Sequence, residues 1–204
     1  MQTSSQEIVG VARAMGNNIA TTDLNQCSTV ISPPAHSEFF EELLLTEREK
    51  NIIQKSWSFS EQSTLLNLGQ RLFQKIFAEA PDSKNLFQKD FDSNQYNASF
   101  YRHMRSFMNL IEFAVSKIDD DDRGEKLWRT CFEVGKRHVR VRQQGFKEEY
   151  WATFELAMLQ CVVDWEGSHC TQRSVDSWSK LLAYIVRNIR SGYNYELART
   201  QSCE

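Results

Sequence analysis

Beyond about residue 45, apolar residues recur every three to four positions, and no segment shows the strict alternation of a half-buried strand. Thr46-Glu47-Arg48-Glu49 has the spacing of a capping box and opens a helix carrying Ile52, Ile53 and Trp57. Ser60 or Ser63 opens the next, along which Leu65, Leu68, Leu72, Phe73, Ile76 and Phe77 form one face. Pro81 ends that helix and starts a short one, PDSKNLF. From Phe100 to Ile118 the stripe runs through Met104, Phe107, Ile111, Ala114 and Val115, and His103 lies on it. The stretch Glu125–Phe146 reads as a helix with Leu127, Cys131, Val134 and Val141 inward, giving way to a loop around Gln143–Gly145, and His138 takes a place where another apolar residue belongs. Helices from Lys147 to Trp165 and from about Ser174 to Gly192 complete the pattern. The fold class is all-α, with six to eight helices.

Residues 1–44 differ in kind. They are rich in Ser, Thr, Asn and Gln, hold two of the three prolines, and read as a flexible extension with at most a short helix around Glu7–Met15. The domain organisation is therefore an extension (1–44), one folded domain (45–196) and a short tail (197–204). The net charge of −3, with acids and bases interspersed, argues against a nucleic-acid partner. No run of apolar residues is long enough to span a membrane, and no secretory signal is legible. The five cysteines lack metal-type spacing and fit a reducing, cytoplasmic setting. The acidic run Asp119–Asp122 reads as a connection between helices, since carboxylates are unfavourable at a helix C-terminus and favourable at the next N-terminus.

The chemistry rests on two of the four histidines. A neutral imidazole binds a metal through one nitrogen and donates its other N–H to an orienting partner. Two inward histidines from two helices, in a chain with 13 Phe, suit a flat apolar metal-containing ligand held between them. They equally suit two hydrogen-bonded core histidines. Pattern alone leaves an all-α protein with a candidate metal or haem site.

Over about residues 45–195 the chain resembles the globin family, most closely the neuroglobin-like and nematode-type members. Trp57, LFQKIFAEAPDSKNLF, HMRSFMNLIEFAVSKIDD and VGKRH stand in the family's order, followed by a final helical pair. The resemblance implies the globin fold and haem b (iron protoporphyrin IX) as cofactor. It implies His138 as proximal iron ligand and His103 as distal residue and candidate sixth ligand, with Phe73, Phe87, Phe91, Phe107, Val134 and Phe146 lining the haem. His103 and His138 are 35 residues apart, longer than is usual in the family, and HVRVRQQGF extends the corner after the proximal histidine. The implied function is reversible binding of dioxygen or another diatomic (CO, NO). The alternatives are redox chemistry or electron transfer at the haem, or sensing through an unidentified redox or signalling partner. No dedicated catalytic residues are visible.

Overall fold

Thr46 and Glu49 exchange hydrogen bonds at the head of the first helix. The Thr46 amide donates to Glu49 Oε2 at 2.8 Å, and the Glu49 amide donates to Thr46 Oγ1 at 3.3 Å, the reciprocal pairing of a capping box. A second tie comes from the last helix, whose Lys180 ammonium bonds Glu49; that bond and the Thr46 amide hold the carboxyl at about 2. The computed structural model describes residues 40–60, 65–87, 98–120 and 122–202. These all lie within the unit spanning residues 32–204.

Among them are six α-helices: α1 (Glu47–Ser60), α2 (Leu65–Glu79), α3 (Ala98–Lys117), α4 (Glu125–His138), α5 (Tyr150–Glu166) and α6 (Gln172–Gln201). Short 3-10 segments follow α2 (Pro81–Leu86), α4 (Val139–Gln144) and α5 (Gly167–His169). No strand occurs among the described residues. Helix α6 is the spine. Trp178, Leu181, Leu182 and Ile185 are wholly buried along it, and α1, α4 and α5 all pack on it. Beside α1, the Trp178 and Trp165 indoles donate to the buried Ser56 hydroxyl at 2.8 and 3.2 Å.

Three elements differ from the expectation. Ser60 does not open α2. It closes α1, where its hydroxyl bonds the Trp57 carbonyl at 2.6 Å, and Ser63 lies outside the described residues, as does the Glu7–Met15 segment. The Glu125–Phe146 stretch is not one continuous α-helix. It tightens to 3-10 geometry after His138, and it stops in the expected loop, at Gly145, whose φ of 98° is left-handed. Helix α6 starts at Thr171, whose hydroxyl accepts from the Ser174 amide at 3.2 Å, and runs past Gly192 to Gln201 because Tyr193, Tyr195 and Leu197 continue its apolar face.

The α4–α6 crossing is unusually close. A Cβ on Gly135 would lie 1.9 Å from the Ile189 carbonyl oxygen, and one on Gly192 would lie 1.9 Å from the Phe132 carbonyl oxygen. The connection from α3 to α4 is pinned on several sides. Gln54 donates to Asp119, Lys117 and Lys126 both pair with Asp120, and Asp122 accepts from the Gly124 and Lys126 amides. The Arg123 carbonyl accepts from the Leu43 amide at 2.9 Å, and Tyr184 donates to the Gly124 carbonyl at 3.1 Å. Residues 40–46 are thus laid down on the helices, with Phe40 edge-on to Trp128 at 5.9 Å between ring centres.

Candidate functional site

Helices α3 and α4 bring their histidines together. The ring centres of His103 and His138 are 6.0 Å apart, with an angle of 69° between the planes. His103 sits in the second turn of α3, next to the wholly buried Met104 and against Phe73 of α2. His138 is the last residue of α4.

His138 is oriented by its own helix. Its Nδ1 lies 2.8 Å from the Val134 carbonyl oxygen. A carbonyl only accepts, so Nδ1 carries the proton and Nε2 keeps its lone pair. Burial lowers the His138 pKa, opposed by the Val134 bond and aided by the neighbouring Arg137. Burial likewise, with a smaller contribution from His138, lowers His103 to about 4. Both imidazoles are therefore neutral near pH 7, the form in which a ring nitrogen binds a metal.

The spacing of the pair has a chemical reading. Imidazole–metal bonds run about 2.0–2.1 Å, and each nitrogen stands about 1 Å from its ring centre, so two imidazoles sharing one metal are separated by about 6 Å. The 6.0 Å between the two ring centres is compatible with that arrangement, and equally with the edge-to-face contact of two core rings that the 69° angle describes.

Aromatic side chains surround the pair. Phe73 of α2 lies edge-on to His103 at 5.7 Å, and Phe87, just after the Pro81 segment, lies 5.3 Å from the same ring. Phe107, one turn beyond His103, is 6.5 Å from Phe73 and 4.6 Å from Phe154. On the other side Phe146 lies 5.4 Å from His138. Val134 contributes its carbonyl to His138 while its side chain packs partly buried on the core. The structure thus brings Phe73, Phe87, Phe107, Val134 and Phe146 to the two histidines, directly or through one ring. Phe91 lies outside the described residues.

Two neighbours were not singled out by sequence reasoning as site residues. Trp151 is 4.9 Å from His138 and 4.8 Å from Phe146, and Phe154 closes on Phe107. Both belong to the apolar stripe of α5 and read simply as core. Trp151 carries a further signal that only the structure exposes: its buried Nε1–H has no hydrogen-bond partner. Of the basic residues near the pair in sequence, Lys136 is engaged by Glu133 at 2.8 Å, while Arg105 and Arg137 are exposed.

A family model for globins matches residues 70–189, more than half of the chain. Globin-related protein glb-13 of Caenorhabditis elegans is 26% identical over 155 residues, covering 74% of this chain and 54% of that protein, so the chain spans about half of that relative's length. Cytoglobin-1 of Oryzias latipes is 24% identical over 154 residues, covering 73% of this chain and 84% of the relative. Among solved structures, a hexacoordinated haem protein from an anhydrobiotic tardigrade superposes with a TM-score of 0.63 at 26% identity, covering 74% of this chain and 97% of that one.

Proposed function

Because the chain belongs to the globin family, we propose that it holds haem b between α3 and α4, with His138 as the proximal iron ligand and His103 facing it as the sixth. The observation that carries this reading is the imidazole pair: two neutral rings 6.0 Å apart, one with Nδ1 committed to a carbonyl and Nε2 left free. The residues present fit the group. Phe73, Phe87, Phe107 and Phe146 offer flat apolar walls, and the low pKa values keep both lone pairs available.

A ferrous haem supplies reversible coordination of dioxygen, CO or NO and a one-electron redox couple. The protein's part is to hold, orient and keep dry. Val134 fixes the His138 ring through Nδ1. The phenylalanines exclude water from the space around the two rings. His103 is the residue that would hold the sixth position of a bound haem or, standing aside, would offer an N–H to a diatomic ligand there. Where His103 holds that position, apparent gas affinity would be the intrinsic affinity multiplied by the fraction of molecules in which the position is open.

The same spacing favours a second reading. With both imidazoles within reach of one metal, little reorganisation separates the two redox states, which suits electron transfer or sensing through a partner. Cys131, Cys161 and Cys170 are free thiols, which supports a cytoplasmic setting. No helix among the described residues is long and apolar enough to cross a membrane.

The test is the visible spectrum of the haem-reconstituted protein, ferric and dithionite-reduced, beside His103→Leu and His138→Ala. Sharp, split reduced bands that collapse in His103→Leu mark bis-histidine iron. A broad reduced band that shifts under oxygen marks an open site with His103 as donor only. Failure to form a stable haem complex removes the reading.

A further inference from the structure

We infer that Gly135 and Gly192 are positioning residues: their backbone-to-backbone crossing of α4 on α6 sets the height of His138 before any cofactor binds. The inference rests on the proposed role of His138. At this crossing each helix fills the space where the other's side chain would stand. A Cβ on Gly135 would meet the Ile189 carbonyl oxygen at 1.9 Å and the Tyr193 nitrogen at 2.7 Å, and one on Gly192 would meet the Phe132 carbonyl oxygen at 1.9 Å. These obstacles are main chain and cannot rotate away, so a single added methyl separates the helices. Gly69 on α2 makes the opposite case. Its Cβ would meet side chains and no main chain: Met104 at 2.4 Å from Cγ and 3.0 Å from Sδ, and Met108 Cγ at 3.2 Å, both unbranched.

The crossing acts directly on the imidazole. Phe132 supplies the carbonyl that abuts Gly192, Val134 supplies the carbonyl that holds His138 Nδ1, and Gly135 is the next residue. One run of α4 backbone therefore touches α6 and aims the ring. A helix clamped by main-chain contact against the buried spine of the fold should stay formed without cofactor, leaving the site half assembled.

Amide hydrogen exchange of the cofactor-free protein tests this on the natural sequence. Amides of residues 128–136 are expected to exchange as slowly as those of central α6. Exchange at unprotected rates in α4, with α6 still protected, overturns the inference. A double-mutant cycle then separates positioning from general structure. Gly135→Ala should weaken haem binding at least about tenfold with His138 present and less than about twofold in a His138→Ala background. Equal losses in both backgrounds overturn the inference. Gly69→Ala, run in parallel, should cost less than Gly135→Ala, because side chains and not main chain must shift; an equal or larger cost overturns the inference. If Gly135→Ala does not fold, the exchange pattern of the unmodified protein decides. If the unmodified protein binds no haem, the proposed function falls, while the exchange result still reports on the crossing.

Discussion

Replacing His103 by Leu should make the cofactor-free protein more tolerant of acid. In the folded chain burial lowers the imidazole from its ordinary 6.5 to about 4, whereas the unfolded chain titrates normally. Between those two pH values the unfolded state binds a proton that the folded state refuses. Stability contributed by the neutral ring is therefore complete above pH 6.5, declines as pH falls, and is gone by about pH 4. At 1.36 kcal/mol for each pH unit across that interval, the loss amounts to about 3 kcal/mol. His138, lowered for the same reason, adds a loss of the same sign in both proteins. Among the described residues, the rings against His103 are those of Phe73, Phe87 and His138, and none of them can neutralise an imidazolium. Urea unfolding of the cofactor-free wild type and His103→Leu from pH 7.5 to pH 4 measures the difference. The wild-type curve should fall more steeply, by about 1.4 kcal/mol per pH unit through the middle of the interval. Parallel curves would refute the reasoning and mean that the ring is solvated enough to accept a proton in place.

Ser56→Ala removes the shared acceptor of two indole N–H groups and should cost about 1–3 kcal/mol for each donor left buried and unpaired, read by urea unfolding followed through tryptophan fluorescence. Phe73→Ala, at the centre of the rings of Phe77, Phe87, Phe100, Phe107 and His103, should destabilise by about 3–5 kcal/mol and speed haem loss to an acceptor protein. Glu49→Gln should flatten the acid limb at lower pH. The Glu49 carboxyl, held at about 2 by Lys180 and the Thr46 amide, contributes stability that is present above pH 4.5 and lost as pH falls toward 2. Identical wild-type and Glu49→Gln profiles over that window would show the pair to be inert.

Much of the site was legible because a histidine on an apolar helix face breaks a pattern that is otherwise regular. His103 and His138 declared themselves that way, and the hydroxyl-to-carboxylate spacing of Thr46 and Glu49 announced the first helix. Phe73, Phe87, Phe107 and Phe146 came from the family resemblance, since a phenylalanine on a core face looks the same whether it lines a ligand or not. Trp151 and Phe154 were hidden for that reason on a helix that is apolar around most of its circumference. Gly135 and Gly192 were hidden for another. A glycine inside a helix reads as a small cost, and its meaning appears only when the partner helix is known to cross there. The far end of α6 was missed because Tyr193, Tyr195 and Leu197 are spread among polar residues, so burial against α4 and the segment after it, not local periodicity, carries the helix on to Gln201.

The pinned connection between α3 and α4 has a mechanical consequence. It joins the ends of the two helices remote from the histidines, since His103 lies near the start of α3 and His138 closes α4. At about 1.5 Å per residue each imidazole rides on an arm of about 20 Å, the two arms nearly equal in length. The pair is a set of tweezers whose pivot is fastened by Asp119, Asp120, Asp122 and Arg123, and whose α4 jaw is clamped on α6. The α3 jaw is held in its turn by α2, where Gly69 leaves room for the buried Met104 next to His103. On an arm of that length a rotation of about 1° would carry a ring about 0.3 Å, so fastening the pivot and both jaws fixes the separation of the two imidazoles to a fraction of an ångström.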